Sequence, residues 1–493
     1  MQDGQALAGV GCMASNGTVA LSTKIYYGFG SVAYGVKNNG FSYLLLFFYV
    51  QVIGLEAYMA GLAMFIVMAC DAVSDPIIGH ISDNWHSRWG RRHPFMYFSA
   101  LPVALSYYFL WNPPELSQTA MFAYFIVLAV LVRTLITMFE IPSTSMVPEF
   151  TDDYDQRTAI LGFRFFFGWW GGLTIAVLGY KIFFAATPEY EFGQLNPEAW
   201  PVYGAFASVI IFIAIMVSAI GTHKHIPNLR QPPAPHPFSL KRTLDELSAT
   251  LSNRNFLIIF MSAVISSMAG GVNASLVLYF NTYFWELTTD QIGTLNYVYF
   301  FSAAFALLMT PRLTRGRNKQ TVAIWVWLTG ALILPLPIVL RLIGFFPDNG
   351  SDWVLPLLMV HGLIDVSVMI MAGILISSMI ADIVEESQRK TGRRSEGLFF
   401  AGQSFAGKVV HGFGMFATGV ILTVIAFPRD ATPGQVPMEI LLNLAYIYVP
   451  LIIVFYSLAI LCLTRYRITR ESHSENIEVL AGAEGSASSQ SAN

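Results

Sequence analysis

The chain is 493 residues long, 55% hydrophobic and 12% charged, with a formal net charge of −3. Soluble domains average about 25% charged residues, so the composition excludes a soluble globular chain, and the lack of any basic domain excludes a nucleic-acid binder. Three cysteines, Cys12, Cys70 and Cys462, two of them inside apolar runs, do not make a disulfide framework.

Residues 1–23 lack the basic and apolar regions of a secretory leader and read as a short cytosolic tail. Twelve apolar runs of membrane-spanning length follow, at 25–52, 56–82, 94–112, 119–149, 157–186, 200–221, 255–284, 290–310, 320–346, 353–383, 396–427 and 439–464. Gly and Pro interrupt several of them, which membrane helices tolerate. The expected fold is therefore an all-α membrane protein with twelve transmembrane helices. Basic residues gather in alternate connections: Arg88, Arg91 and Arg92 after the second run, Arg157 after the fourth, Lys224 and Arg230 after the sixth, Arg312, Arg315 and Arg317 after the eighth, Arg389 and Arg393 after the tenth, Arg465 and Arg467 after the twelfth. The opposite loops hold acids such as Glu115, Glu189, Asp348 and Asp352, with Arg429 as their clear basic residue. The positive-inside rule then puts both termini on the cytosolic side of a plasma (cytoplasmic or inner) membrane.

In chain order, the second run is the first to carry chemistry. It holds Asp71-Ala-Val-Ser-Asp75-Pro76. A spacing of four puts both carboxylates on one helical face. Each costs at least ~2.5–3.5 kcal/mol at that depth on insertion scales, so a stacked pair points to a held cation or proton. The following loop contains Gly79, Asp83, Arg88, Arg91 and Arg92. After the fourth run the chain reads Met146-Val-Pro-Glu149-Phe-Thr-Asp152-Asp153, and after the tenth Met379-Ile-Ala-Asp382-Ile-Val-Glu385-Glu386. The longest polar connection, 226–254, holds Pro232, Pro233, Pro235 and Pro237 and divides six runs from six. Residues 24–225 and 255–466 thus form two pseudo-symmetric six-helix bundles with a site between them near the midplane, the major-facilitator plan. Major facilitators carry Gly-x-x-x-Asp and basic residues after their second helix. On that likeness Gly79 would permit close helix approach, and Asp83 with Arg88, Arg91 and Arg92 would form a gate that latches one conformer. The Ser-, Glu- and Ala-rich residues 467–493 are expected to be disordered.

Several motifs together resemble the glycoside–pentoside–hexuronide:cation symporters, the family of the melibiose permeases. They are Lys24-Ile-Tyr-Tyr27-Gly28-Phe29-Gly30; Asp71-x-x-x-Asp75-Pro76-x-x-Gly79 with Arg88-Trp-Gly-Arg-Arg92; Glu140-Ile-Pro142 with Met146-Val-Pro148; and Lys390-Thr-Gly-Arg-Arg394 with Glu396-Gly397. The resemblance covers nearly the whole chain. It implies secondary transport by alternating access: symport of a sugar, glycoside or hexuronide with Na⁺ or H⁺, without a cofactor, in a bilayer, with a monomer sufficient. It implies a cation site of Asp71, Asp75 and Thr137, with Ser74 where melibiose permeases have Asn, which leaves Na⁺ against H⁺ open. Lys408 matches the helix-11 lysine, whose ammonium needs the aspartate pair as partner. Glu140 and Arg164 match a sugar-binding carboxylate and arginine, and forked donors opposite acceptors suit a polyol. Gln403 and Ser404 fall at polar sugar-site positions.

There are departures from the melibiose permeases. Their helix-1 Asp falls at Gly35, a helix-4 Trp at Thr144 and a helix-4 Tyr at Ile136, which argues against a galactoside such as melibiose. Trp169 and Trp170 offer another stacking face, and Lys37, Arg164 and Lys408 without that Asp favour an anionic sugar. Arg133, Asn273 and the pair His361 and Asp365, one turn apart, are further polar groups at membrane depth. Lys181 and Arg341 lie near run ends and should snorkel. Related eukaryotic carriers that share the helix-2 motif move lysolipids, and the 38 Phe of this chain suit such a cargo too. An intramembrane enzyme is the remote alternative: no H-E-x-x-H or G-x-S-x-G stands in a plausible context.

Overall fold

The computed structural model describes residues 19–151, 153–228, 253–391, 396–466 and 468. Most of the expected N-terminal tail, central connection and C-terminal tail therefore lies outside the described residues.

Among the described residues, twelve long helices cross the molecule. Helix α1 covers residues 21–52 as consecutive segments, α2 is Ala57–Asn84, α3 His93–Leu110, α4 Gln118–Thr144, α5 Tyr154–Leu178 and α6 Ala199–His223. Helix α7 is Arg254–Tyr279, α8 Thr289–Thr314, α9 Lys319–Ile333 with Leu336–Leu342, α10 Val354–Thr391, α11 Glu396–Val424 and α12 Met438–Leu463. Ten of these spans are long and apolar enough to cross a bilayer by length and composition. The other two differ for local reasons. Helix α1 is broken by wide turns at Gly40–Leu44 and Phe48–Val52, and α3 spans only 18 residues that include His93, Pro94, Pro102, Tyr97, Tyr107 and Tyr108.

Three boundaries differ from the sequence expectation. Helix α4 stops at Thr144, and Val147–Phe150 forms a separate turn with Pro148 near its start. Helix α9 breaks at Pro335 and Pro337, where the missing N–H groups interrupt the ladder. Helix α10 runs on to Thr391, so its polar end continues as helix beyond the apolar stretch.

Within the first bundle α1 packs on α5, α3 on α4 and α6, and α2 on α4; within the second α7 packs on α11 and α12, α8 on α10, and α9 on α10 and α12. The bundles meet through α2 with α11, α5 with α8, and α1 with α7. Exchanging the halves converts the α2–α11 contact into the α8–α5 contact, as a duplicated fold requires. The outer ends of α1 and α7 repeat in detail: Ile53 N–H donates to Phe48 O at 3.0 Å and Trp285 N–H to Phe280 O at 2.8 Å.

The packing also shows where the halves part. One apolar cluster runs through the first bundle and into the outer ends of α7, α11 and α12, while a second is confined to the basic end of the second bundle. Helices α2 and α11 touch at the acid-rich end, where a Cβ on Gly419 would lie 2.3 Å from Ala57 O. The contact continues through Phe65 and Phe413 to the level of Asp75 and Lys408. Gly79, further along α2, has only Ile141 of its own half near it, at ordinary contact distance. The tight approach expected at Gly79 is thus found at Gly61 and Gly419 instead, because the two bundles diverge toward the basic end.

Candidate functional site

A cavity of about 780 Å³ lies between the bundles, walled by α1, α4, α5, α7, α8, α10 and α11. Helix α4 places Arg133, Thr137, Glu140 and Thr144 at intervals of four, three and four residues, one helical face. Arg133, Glu140 and Thr144 line the cavity, and Thr137 turns toward α2.

Behind that wall sits the paired-aspartate cluster. Asp71 is 2% exposed and accepts from Arg133 Nη2 at 2.6 Å. Lys408 Nζ reaches across from α11 to Asp71 Oδ2 at 2.8 Å and to Asp75 Oδ2 at 2.5 Å. The Thr137 hydroxyl is 3.1 Å from Asp75 Oδ1 and 3.4 Å from Asp71 Oδ1. Ser74 is not brought into the cluster, since its hydroxyl donates to the Asp71 backbone carbonyl at 3.0 Å. Four buried or half-buried ionised groups therefore neutralise one another, the condition under which charges persist at membrane depth.

Glu140 and Arg164 face each other at the cavity edge. Arg164 is 3.5 Å from Glu140 Oε1, 3.3 Å from Ser143 Oγ and 3.4 Å from Tyr27 Oη. These are long contacts, and a quarter of the Glu140 side chain remains exposed. Both groups keep hydrogen-bonding capacity for a solute. Gln403 and Ser404 lie on the basic side of Lys408, half-buried and exposed respectively, and do not line the cavity. The cavity lining of α11 begins one turn later with Gly407, Lys408 and His411.

Among the aromatic candidates, Trp169 lines the cavity and donates to Tyr299 O at 3.4 Å, whereas Trp170 stacks on Phe166 and packs on Phe300. Gly35 explains its own identity: a Cβ there would lie 2.0 Å from Gly168 O, so α1 and α5 pack backbone to backbone at this position. Lys37 is buried, lines the cavity and sits 4.5 Å above the Tyr34 ring. Across the cavity, α10 contributes Asp365, and α7 and α8 contribute Asn273 and Asn296. Among the described residues neither Lys37 nor Asp365 has an ion-pair partner. His361 does not bond Asp365; its Nε2 pairs with Ile333 O at 2.9 Å. That carbonyl needs a side-chain donor because the residue four positions on is Pro337, which has no N–H.

The residues expected to form a gate divide. Arg92 bonds Asp83 at 2.5 Å, and Arg91 and Arg92 both reach Glu149, at 2.5 and 3.4 Å. Arg88 is exposed and lies over the Trp89 ring. Glu149 is the partner that the charge-gate reading lacked, yet the sequence repeat marks it: Asp382, at the corresponding position of the second half, bonds Lys319 at 2.6 Å. Sequence reasoning also missed the role of Arg133 as the buried partner of Asp71, and His411, one turn from Lys408.

Polar contacts between the bundles gather at the acid-rich end. Gln51 accepts from Tyr283 Oη at 3.0 Å and from Ala431 N–H at 3.2 Å, and donates to Pro428 O at 3.3 Å. Lys181 bonds Asp290 at 2.6 Å, Gln194 meets Thr282 and Thr289, and Arg429 bonds Glu56 at 3.0 Å. Among the described residues these contacts close the end that carries Gln51, and the two bundles diverge toward the basic end.

Two six-helix bundles that repeat in parallel around one cavity between them, sealed at one end, define a major-facilitator carrier. The sequence matches the MFS/sugar transport protein family over residues 26–470, and the chain belongs to that family. It is 26% identical to an uncharacterized symporter of Synechocystis, over 92% of this chain and 95% of that one. It is 24% identical to an isoprimeverose transporter of Lactiplantibacillus pentosus, over 92% and 90% of the two chains. A shorter stretch, 33% of this chain and 29% of the relative, is 25% identical to the sodium-dependent lysophosphatidylcholine symporter 1 of Gallus gallus. Among solved structures, a D-xylose-proton symporter superposes with a TM-score of 0.62 at 13% identity, over 91% of this chain and 98% of that one, which supports the fold alone.

Proposed function

We propose that the protein is a cation-coupled secondary transporter that carries a sugar, glycoside or hexuronide by alternating access. The observation that carries this is the side-by-side placement of two polar devices. Glu140 and Arg164 offer acceptor and forked donors to the cavity, and Lys408 joins the halves through Asp71 and Asp75 at its inner wall. With the basic loops cytosolic, the open end faces the cytosol and the conformer is inward-facing.

Lys408 is the hinge of the coupling. It lines the cavity and is partly exposed there, so a solute with oxygen acceptors can draw its ammonium off the carboxylates. A monovalent cation that takes its place keeps the cluster neutral. Each ligand then favours the binding of the other, and the coupling is reciprocal. The names of the relatives support a sugar-class cargo coupled to a cation. The partial likeness to a lysophosphatidylcholine symporter keeps an amphiphile as the second reading, with the apolar stretch between Leu173 and Leu295 as the place for an acyl chain.

The test is the melting temperature of the purified protein against a panel of pentoses, hexoses, hexuronides, glycosides and lysolipids, each in Na⁺, in Li⁺ and without either, for wild type and Asp75→Asn. A sugar that stabilises the wild type and not the variant supports cation-coupled sugar symport. Stabilisation by lysolipids and by no sugar refutes the cargo assignment.

A further inference from the structure

The resemblance behind the cation site implies a coupling ion, Na⁺ or H⁺, at Asp71, Asp75 and Thr137, and an alkali ion there would need a cage of oxygens. The donor set does not fit that ion. An alkali cation, like other hard cations, needs several unshared oxygens converging on one point. Here Asp71 Oδ2 already takes Arg133 Nη2 at 2.6 Å and Lys408 Nζ at 2.8 Å. Asp75 Oδ2 takes Lys408 at 2.5 Å, and the Thr137 hydroxyl hydrogen points to the two Oδ1 atoms. The Ser74 hydroxyl is committed to its own helix.

The two cations of the cluster are not equivalent. Lys408 is a flexible ammonium, partly exposed at the cavity, and can withdraw. Arg133 is 4% exposed, enclosed between α1, α2 and α4, with its guanidinium over the Phe41 ring at 5.3 Å. Once Lys408 has left, Asp71 remains neutralised by a rigid fork of donors. The site then holds a single net negative charge, and Asp71 Oδ2 stays occupied by the guanidinium at 2.6 Å. Stripping the hydration shell from such an ion at membrane depth is costly, and only one carboxylate is left to offset it.

We propose that Arg133 is a tethered counter-cation that closes the paired-aspartate site to Na⁺ and Li⁺ and so sets the ion preference of the carrier. This rests on the reading of Asp71 and Asp75 as the coupling-ion site. Of Na⁺ and H⁺, the arrangement leaves open the ion that needs no cage of oxygens. The residue also explains the chain's departure from a Na⁺-type cage better than Ser74 does, because Ser74 does not face the cluster.

The experiment uses the full-length protein without any sugar. Melting curves are recorded in NaCl, LiCl and choline chloride at one pH and ionic strength, for wild type, Arg133→Gln and Arg133→Ser, each also in an Asp75→Asn background. The expected result is no Na⁺- or Li⁺-specific shift in the wild type. At least one Arg133 variant should show a saturable rise in melting temperature with Na⁺ or Li⁺ that disappears with Asp75→Asn. A saturable shift in the wild type that Asp75→Asn removes overturns the proposal and leaves the coupling-site reading intact. No shift in the wild type or in either Arg133 variant, with both still melting cooperatively, overturns the proposal and that reading together. The wild-type arm also stands alone: radioactive sodium retained by the purified wild type and displaced by Li⁺ refutes the role of Arg133 whatever the variants do.

Discussion

Replacing Gln51 by Leu should unlock the acid-rich end of the cavity. Gln51 is 3% exposed and joins three elements of the other bundle at once: the Tyr283 hydroxyl, the Ala431 amide and the Pro428 carbonyl. A buried hydrogen bond contributes about 0.5–1.5 kcal/mol net, and one of these three is long. The closed end therefore loses about 1–3 kcal/mol. In the conformer with that end open, the same groups meet water and the substitution is close to neutral. The whole loss thus moves the equilibrium between conformers, by roughly 5- to 150-fold toward the open one. The assay places a reporter thiol at Asn281, which lines the cavity near the outer end of α7, after Cys12, Cys70 and Cys462 have been replaced by Ser. A membrane-impermeant maleimide is added on the acid-rich side of sealed vesicles, and the rate of labelling is compared with and without Gln51→Leu. An increase of at least several-fold is expected. An unchanged rate, with the melting temperature lowered, would mean that Gln51 stabilises both conformers alike, and the reasoning fails.

The charged groups give further predictions. Glu149→Gln should lower the melting temperature strongly, because it removes the carboxylate that Arg91 bonds in a nearly buried site, while Arg92 keeps Asp83; breaking a buried pair costs about 3–5 kcal/mol, and a fall no larger than that of an exposed-surface control would sink the argument. Asp382→Asn should do the same more mildly, since its partner Lys319 is a third exposed and can turn to water. Gly35→Asp should not create a sugar-binding carboxylate but destabilise the first bundle, because a Cβ there would lie 2.0 Å from Gly168 O; folded protein with normal melting and gained galactoside binding would refute this. Asp365→Asn should alter the rank order of sugars that stabilise the protein while leaving its melting temperature without sugar within about 1 °C, since no ion pair is broken; a large drop would show that the carboxylate has a structural partner.

The sequence carried the fold further than it carried the site. Length, apolarity and alternating loop charge suffice for twelve helices in two halves, because in a bilayer each span must satisfy its own backbone. Residue depth likewise marks Asp71, Asp75, Glu140, Arg164 and Lys408, since ionised groups in apolar runs need a reason. What depth does not give is the partner. Arg133 shares a face with Thr137 and Glu140, but which α2 carboxylate it meets depends on how α2 and α4 cross. His361 and Asp365 are spaced to touch, yet a carbonyl freed by Pro337 on another helix takes the imidazole first. Gln403 and Ser404 share a helix with Lys408, but the bundles have already diverged at their level. Gln51 carries no charge and left no trace in composition, and its importance arises entirely from where three chain segments converge.

The two halves repeat in their packing and differ in their charges, and that difference is where transport must be sought. Helices α1 and α7 end in the same wide turns, and Glu149 and Asp382 occupy matching positions beside basic loops. At the cavity the symmetry stops. The first half supplies Lys37, Arg133, Glu140 and Arg164, while the second supplies Asn273, Asn296, Asp365 and the single lysine that crosses over. A symmetric pair of bundles would rock with equal ease whether loaded or empty. Lys408 breaks that indifference: among the described residues it makes the ionic link between halves at mid-depth, whereas the links through Gln51, Gln194 and Lys181 all lie at one end. Closing the basic end requires the α2–α11 contact to extend past Lys408 toward Gly79. On the coupling proposed above, the state of that one ammonium, seated on two carboxylates or drawn into the cavity, bears on whether the bundles can close, and whatever competes for it would control the cycle.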